Sequence, residues 1–313
     1  MHHLRAWADA IYVLDTGSTD QSWEIVHKHA AIDSRVVPLE RRPVVFLDAL
    51  RAYMIERVRD RLRPGDWIAR VDADEFYPVP PPEFIRQCLR PHESFIVAQM
   101  YDYVLRRADL LAWRLGAESL ADRARPIADR RRYCIINHYP EPRFWKYRRG
   151  MRWPLGLPHP AEPGVTAQAR IPIRHYRWRD PVQAQWRFAL RRTMRPYMLR
   201  AGGHWNMRHW THRVWNDDDP ALHLAPLGVE LPAVADNTHL PPSRALRRAT
   251  VRQRLGIAQI RDCLRPRLDL DKVLILMPPE FDRDFARRLA QWPPEWADLA
   301  APAHHPPPSA RPG

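Results

Sequence analysis

Three short apolar runs, separated by two helical patterns, constrain this chain more than any other feature. Ile11-Tyr12-Val13-Leu14 ends in Asp15, Val36-Val37-Pro38-Leu39 follows, and Trp67 to Val71 is apolar apart from Arg70 and ends in Asp72. Runs of this length bounded by Gly, Pro and Asp read as buried strands. In the first helical pattern Trp23, Val26 and Ala30 share a face, and the capping-box spacing of Ser18 and Gln21 puts its start near residue 19. In the second, Leu47, Leu50, Met54, Val58 and Leu62 form the stripe, stopped by Pro64-Gly65. This β-α-β-α-β order predicts a parallel sheet with right-handed crossovers.

Sheets of this kind bind ligands beyond the carboxyl ends of their strands, and two of these strands are tipped with acids. Asp72 and Asp74 are two residues apart and share a face of an ideal strand. If the chain turns there, their carboxylates can converge on one ion. Oxygen ligands of this type suit Mg²⁺ or Mn²⁺ shared with substrate phosphates. Asp15 leads into Thr16-Gly17-Ser18-Thr19-Asp20, either a well-capped strand-to-helix turn or a loop facing a nucleotide at the same sheet edge. Many surface turns contain a D-x-D triplet; the buried strand before this one makes it informative.

Further along, Ser94 to Val104 reads as a strand, and residues 105–132 as a mixed, Arg- and Ala-rich helical region. Tyr133 to Ile136 and, after a Pro-broken turn, Arg143 to Tyr147 read as two more strands. Their aromatic and basic side chains suit either edge pairing or a sugar- or phosphate-facing surface. Ile171 to His175 is another short strand, and Asp180-Pro181 starts a helix with an N-cap acid and proline at its first position. Of 15 histidines, His175 stands at a strand end among Arg174, Arg177 and Arg179. From 186 to about 290 the pattern is mostly helical, with His204, His209 and His212 near Trp205, Trp210 and Trp215 in packing or surface roles. Val273 to Leu276 reads as a strand, and the Ala- and Pro-rich stretch from 297 as disordered.

Net charge is +14 and only Lys28, Lys146 and Lys272 are lysines, so the positive field is carried by arginine. Such a field suits diphosphates, an anionic membrane surface or nucleic acid. Cys88, Cys134 and Cys263 form no C-x-x-C pair, which points to a reducing compartment without a zinc site. No apolar run reaches the roughly 18 residues of a membrane span, and no apolar leader follows Met1-His2-His3. The expected location is cytoplasmic, with peripheral contact at the inner membrane face.

Residues 11–20, Ile-Tyr-Val-Leu-Asp-Thr-Gly-Ser-Thr-Asp, resemble the VVDDGSTD signature of family 2 glycosyltransferases. Val-Asp-Ala-Asp-Glu-Phe at 71–76 is similar to their D-x-D motif in its D-A-D-E-F form, and His-Tyr-Arg-Trp-Arg-Asp-Pro-Val-Gln at 175–183 looks like the HYRYRSPEQ stretch of a bacterial subgroup. The resemblance covers residues 4 to 190. It implies an α/β, GT-A (Rossmann-like) fold with a mixed, mainly parallel sheet and a mostly helical C-terminal extension. The implied units are a nucleotide-sugar-binding domain at 1–185, the helical extension at 186–296 and a tail at 297–313. The family begins with a strand ending in an RNE-like segment, whereas Met1 to Trp7 looks like the helix after that strand, so either the start lies further upstream or the first strand is lacking; no ED pair for an inverting base is found.

The implied activity is metal-dependent transfer of a hexosyl or related group from a nucleotide-diphosphate sugar donor to a saccharide or lipid-linked acceptor, in bacterial surface polysaccharide or glycan synthesis. On this reading Asp74, helped by Asp72, holds Mn²⁺ or Mg²⁺, with His175 as a third metal ligand or a phosphate contact. Asp15, Gly17, Ser18, Asp72, Arg174 and Arg177 meet the nucleotide sugar, and Asp102, Glu141 and Asp180 are the candidate bases. Two other readings compete. A nucleotidyltransferase calls for a Gly-rich, Lys/Arg-containing phosphate loop near the first strand, and none is visible. A non-catalytic basic protein predicts salt-sensitive binding to nucleic acid or an anionic surface; the charge is dispersed and carries no nucleic-acid motif, so no specific nucleic acid is expected.

Overall fold

The computed structural model describes residues 1–154, 157, 159–197, 209–233, 244–264, 274–293 and 296. The chain opens with α1 (His2–Arg5), β1 (Ile11–Asp15), α2 (Ser22–Ile32), β2 (Val36–Arg41), α3 (Ala49–Val58), β3 (Trp67–Ala69), β4 (Glu75–Phe76) and α4 (Pro81–Cys88). Next come β5 (Phe95–Tyr103), β6 (Leu105–Arg106), α5 (Arg107–Arg114), α6 (Ile127–Arg130), β7 (Tyr133–Lys146), β8 (Ile171–His175) and α7 (Pro181–Met194). The short strands β9 (Val214–Trp215) and β10 (His223–Leu224) precede α8 (Arg244–Arg254), α9 (Ile257–Leu264) and α10 (Phe281–Leu289).

The first β-α-β unit forms as the alternation predicts. β1 and β2 pair in parallel, with Ile11 opposite Val36, and α2 crosses between them. α2 starts at Ser22, three residues later than the capping-box spacing suggests, because Asp20 Oδ1 accepts the Ser22 N–H at 2.9 Å in a tight turn before the helix. β3 departs from the expected parallel sheet. It pairs antiparallel with β7, and its sheet is a six-stranded array ordered β10-β7-β5-β8-β4 with β3 also on β7. Within it only β5 and β8 run parallel; the pairs β5–β7, β3–β7, β4–β8 and β10–β7 are antiparallel. The fold is therefore mixed α/β with a mainly antiparallel central sheet, which corrects the mainly parallel expectation. A short apolar run such as Trp67–Ala69 carries no signal of direction, so its partner sets its sense.

α1 and the turn after it join the two sheets. Leu4 packs with Ile11, Val26 and Val36, while the Tyr77 N–H donates to His3 Nε2 at 2.8 Å and Trp7 meets the rings of Tyr77 and Phe144. All nine residues of β5 are buried. Phe95 and Val97 face Ala52 and Ile55 of α3, and Ile96, Ala98 and Met100 face Phe84 of α4. This is the two-residue alternation of a strand covered on both sides.

β7 corrects a second expectation. The two strands predicted around Pro140 and Pro142 are one continuous strand whose register against β5 shifts twice, between Ile96 and Val97 and between Ala98 and Met100. Proline is tolerated there because β3 and β10 pair only with the two ends of the opposite edge of β7, leaving the middle without a ladder to break. Leu274 to Leu276 make no strand either: Leu276 forms a single bridge with Val44, and the Val45 N–H donates to Ile275 O at 2.8 Å. The stretch 209–233, expected to be helical, supplies β9 and β10. His204, Trp205, Val273 and the tail from 297 lie outside the described residues.

α7 begins as its Asp-Pro signal predicts. Asp180 accepts the Gln183 N–H at 2.8 Å, and Arg123 grips the same carboxylate at 2.8 and 2.9 Å. Asp180 is fully buried, so Asp180→Ala removes a cap worth about 1 kcal/mol and strands its guanidinium partners. The expected loss, read from urea denaturation, is about 2–4 kcal/mol; Asp180→Asn recovers the capping part alone.

Candidate anion-binding cleft

The Gly-Ser-Thr loop is shaped from within. Asp15, buried at the end of β1, accepts the N–H groups of Gly17 and Ser18 at 2.7 and 2.6 Å. Its Oδ1 thus fixes the turn. Gly17 sits at φ +101°, and a Cβ there would lie 3.0 Å from Pro43 Cα, so glycine is required on both conformational and steric grounds. Thr16 is the loop residue that reaches the cleft described below.

Beyond β3 the chain turns at Ala73-Asp74 before β4. That turn sends the two acids apart. Asp72 faces Arg143 at 3.7 Å, whereas Asp74 Oδ2 accepts Arg187 Nη1 at 2.9 Å and lies 3.6 Å from His175 Nε2. The last distance is that of an ion pair, longer than a hydrogen bond. The Tyr176 N–H donates to Asp74 O at 2.8 Å, extending the β4–β8 ladder and holding Asp74 beside His175. Glu75, fully covered, pairs with Arg143 and anchors β4 to β7.

Parallel pairing of β5 and β8 sets Asp102 next to His175. His175 Nδ1 donates to Asp102 Oδ1 at 2.6 Å, and Asp102 Oδ2 also accepts Asn137 Nδ2 at 3.1 Å and Arg177 Nη1 at 3.3 Å. Burial disfavours the imidazolium, yet the carboxylates on either side outweigh it and push the His175 pKa up to about 9. His175 is therefore a cation at neutral pH. Burial would likewise raise Asp74, but His175 and Arg187 hold it far below the usual carboxylate range. Asp102 is lowered in the same way, with His175 and Arg177 overriding burial.

Asp74 lies on the wall of a cleft of about 570 Å³. Arg123, Arg125, Arg130, Arg179, Arg187 and Arg191 also line it, with the apolar surfaces of Phe46, Phe76, Tyr176 and Trp186. Gln183, Trp186, Arg187, Leu190, Arg191 and Met194 come from one face of α7, at the three- and four-residue spacing of a helix. Burial, with Arg187 and Arg177 close by, pushes Arg191 down to about 9. A guanidinium stays protonated in proteins, so Arg191 keeps its charge beside Arg187 on the cleft wall.

The predicted site residues separate into groups. Asp74, His175 and Asp102 come together in one chain of charges, with Arg177 at its outer end. Arg174 is elsewhere: its guanidinium clamps Tyr103 Oη and the carbonyls of Ala225, Pro226 and Val229. Glu141 pairs with Arg70 and Arg143, and Asp180 caps α7, so neither faces the cleft. Asp15, Gly17 and Ser18 form the loop behind Thr16. Among the described residues no three His, Cys, Asp or Glu groups are placed to hold a metal ion. Asp72 points away and Asp74 is already matched by two cations, so the set Asp72, Asp74 and His175 does not fit Mn²⁺ or Mg²⁺ as arranged. Arg187 and Arg191 are the residues sequence reading missed. Their signal was the helical spacing from Asp180-Pro181, which puts both on the Gln183 face.

The His175 charge has a pH signature. Its folded pKa lies above the ordinary 6.5, so its stabilisation is complete below about 6.5 and is lost as pH rises through about 9. Urea midpoints of the wild type should fall across that interval, and those of His175→Gln should not. Compared with models of known protein families, with curated proteins and with solved structures, the chain matches none.

Proposed function

We propose that the cleft binds the diphosphate of a nucleotide sugar and that the protein is a glycosyltransferase acting on the hydroxyl of a saccharide or lipid-linked acceptor. The observation that carries this reading is the placing of Arg187 and Arg191 beside Asp74 in a cleft that Thr16 also lines. Transfer joins the acceptor oxygen to the anomeric carbon as the bond from that carbon to the phosphate oxygen breaks. The nucleoside diphosphate leaves with the electron pair. Negative charge grows on the leaving oxygen, where fixed cations in a partly dry site stabilise it most. Arg187 and Arg191 supply them, with the His175 imidazolium behind Asp74.

Asp74 is the carboxylate among the lining residues, so it is the group to orient the acceptor hydroxyl and take its proton. In the resting cleft its affinity for a proton is low because Arg187 and His175 hold its charge. A diphosphate that draws Arg187 away removes one of those cations and lets the Asp74 pKa rise. Donor binding thereby prepares the base. Since Asp74 is already matched by two cations, no step is assigned to a divalent ion. Phe46, Phe76, Tyr176 and Trp186 give the base and sugar apolar faces to pack against.

Calorimetric titration with nucleoside diphosphates, in EDTA and again with Mn²⁺, tests this reading. Arg187→Gln and Arg191→Gln should each weaken binding about ten-fold or more, in keeping with loss of a charge-assisted contact. Asp74→Asn should retain diphosphate binding and lower transfer by about 100-fold or more. Wild-type protein that binds no nucleoside diphosphate, or binds only with Mn²⁺ and loses that binding in Asp72→Asn, would overturn the proposal.

A further inference from the structure

α8 and α9 form a hairpin whose outer face carries five exposed aliphatic side chains. Val251 and Leu255 are 55 % and 67 % exposed, and Ile257, Ile260 and Leu264 on α9 are 39 %, 63 % and 79 % exposed. Val251 and Leu255 are four residues apart, and Ile257, Ile260 and Leu264 follow at three and four, so each helix presents one aliphatic stripe. Gly256, at φ +72°, allows the chain to reverse between them, with its N–H donating to Gln253 O at 3.2 Å.

The inner face is tied down. Arg252 and Arg261 both bind the buried Glu162, and Arg148 binds Asp262 at 2.5 Å. Thr250 meets Thr166 at 3.0 Å, and Ala258 is fully buried. The stripes are thus held outward by a docked back, and they do not arise from a hairpin that has failed to pack.

Charge decides what covers them. Residues 244–264 contain Arg244, Arg247, Arg248, Arg252, Arg254 and Arg261 against one acid, Asp262, which is buried. Arg247, Arg248 and Arg254 are exposed alongside the aliphatic stripe, and Arg247, Arg248, Val251 and Arg252 line a shallow groove of about 400 Å³. A second copy on this face would bring like charge against like. Single-stranded nucleic acid is gripped by aromatic platforms, and the stripe here is aliphatic. Aliphatic side chains flanked by arginine, with no exposed acid, match the acyl boundary and phosphates of an anionic bilayer.

We propose that the α8–α9 hairpin lies in the interface of an anionic phospholipid membrane, with Val251, Leu255, Ile257, Ile260 and Leu264 inserted and Arg247, Arg248 and Arg254 on the headgroup phosphates. Among the described residues no helix is long and apolar enough to cross a membrane, so the contact is in the plane. Thr166, held by Thr250, bridges Phe95 at the start of β5, whereas Asp102 lies near its end. Seven residues of extended strand separate the two by roughly 23 Å, so the hairpin grips the membrane at the end of the sheet away from the charged chain. This inference does not depend on what the cleft binds.

The test is co-sedimentation of the full chain with vesicles of phosphatidylcholine containing phosphatidylglycerol, against vesicles of phosphatidylcholine alone. Wild type should bind the anionic vesicles and release as salt rises. The double variant L255E/I260E should lose about ten-fold or more in affinity, and R247Q/R248Q about ten-fold with a shallower salt dependence. Unchanged melting temperature and an unchanged circular dichroism spectrum confirm that the variants fold. Equal binding to both vesicle types, or variants that bind like wild type, overturns the proposal. So does a dimer in light scattering that L255E/I260E dissociates, since a second copy would then cover the stripe.

Discussion

A buried imidazolium between two carboxylates ties the centre of this protein to its surface. His175 donates to Asp102 at 2.6 Å inside the sheet and faces Asp74 at 3.6 Å on the cleft wall. Neither carboxylate would be ionised so readily at that depth without it, because burial alone disfavours the charged form. The sheet is what makes the arrangement stiff. Asp102 and His175 stand in adjacent parallel strands, and Glu75 opposite His175 is pinned by Arg143 from the far side.

From this chain of charges the character of the cleft follows. Asp74 uses the His175 imidazolium and one guanidinium, Arg187, and the remaining positive charge of α7 is crowded next to it. A net charge of +14 can reflect composition as much as purpose. Six arginines line one cleft; Arg123, Arg125, Arg130 and Arg187 are paired there with Asp180, Asp122, Glu118 and Asp74, and Arg191 is depressed by burial and by the arginines beside it. The aliphatic and arginine face of the α8–α9 hairpin, tied to the end of the sheet away from Asp102, is a second, separate use of the same residue type. There arginine accompanies exposed aliphatic surface, whereas in the cleft it accompanies aromatic rings and a carboxylate.

Where local chemistry decides, sequence and structure agree. Asp180-Pro181 starts α7, Pro64-Gly65 follows the end of the helix before it, and Phe95 to Tyr103 is a fully covered strand. They part where a distant partner decides. Trp67 to Ala69 was readable as a strand, but its pairing with Phe144 to Lys146 reverses the sense expected of it. Asp72 and Asp74 looked like a pair because an ideal strand puts both on one face. The turn at Ala73-Asp74 breaks that strand and hands each acid to a different cation. Arg174 stood beside His175 in the sequence and yet serves the 225–229 segment, since successive strand residues point to opposite faces.

By itself the sequence determined where the buried strands and helix faces lie, which strands end in acids, and that arginine carries the charge. Those properties depend on residues within a few positions of one another, through periodicity, caps and turns. Tertiary structure alone decided strand direction, the parting of Asp72 from Asp74, and the joining of Asp74, His175, Asp102 and Arg187. The Asp102–His175 and Asp74–Arg187 contacts join residues 73 and 113 positions apart. No local signal reports such a pairing, because its free energy depends on which charges the packed sheet and α7 bring into the same poorly solvated space.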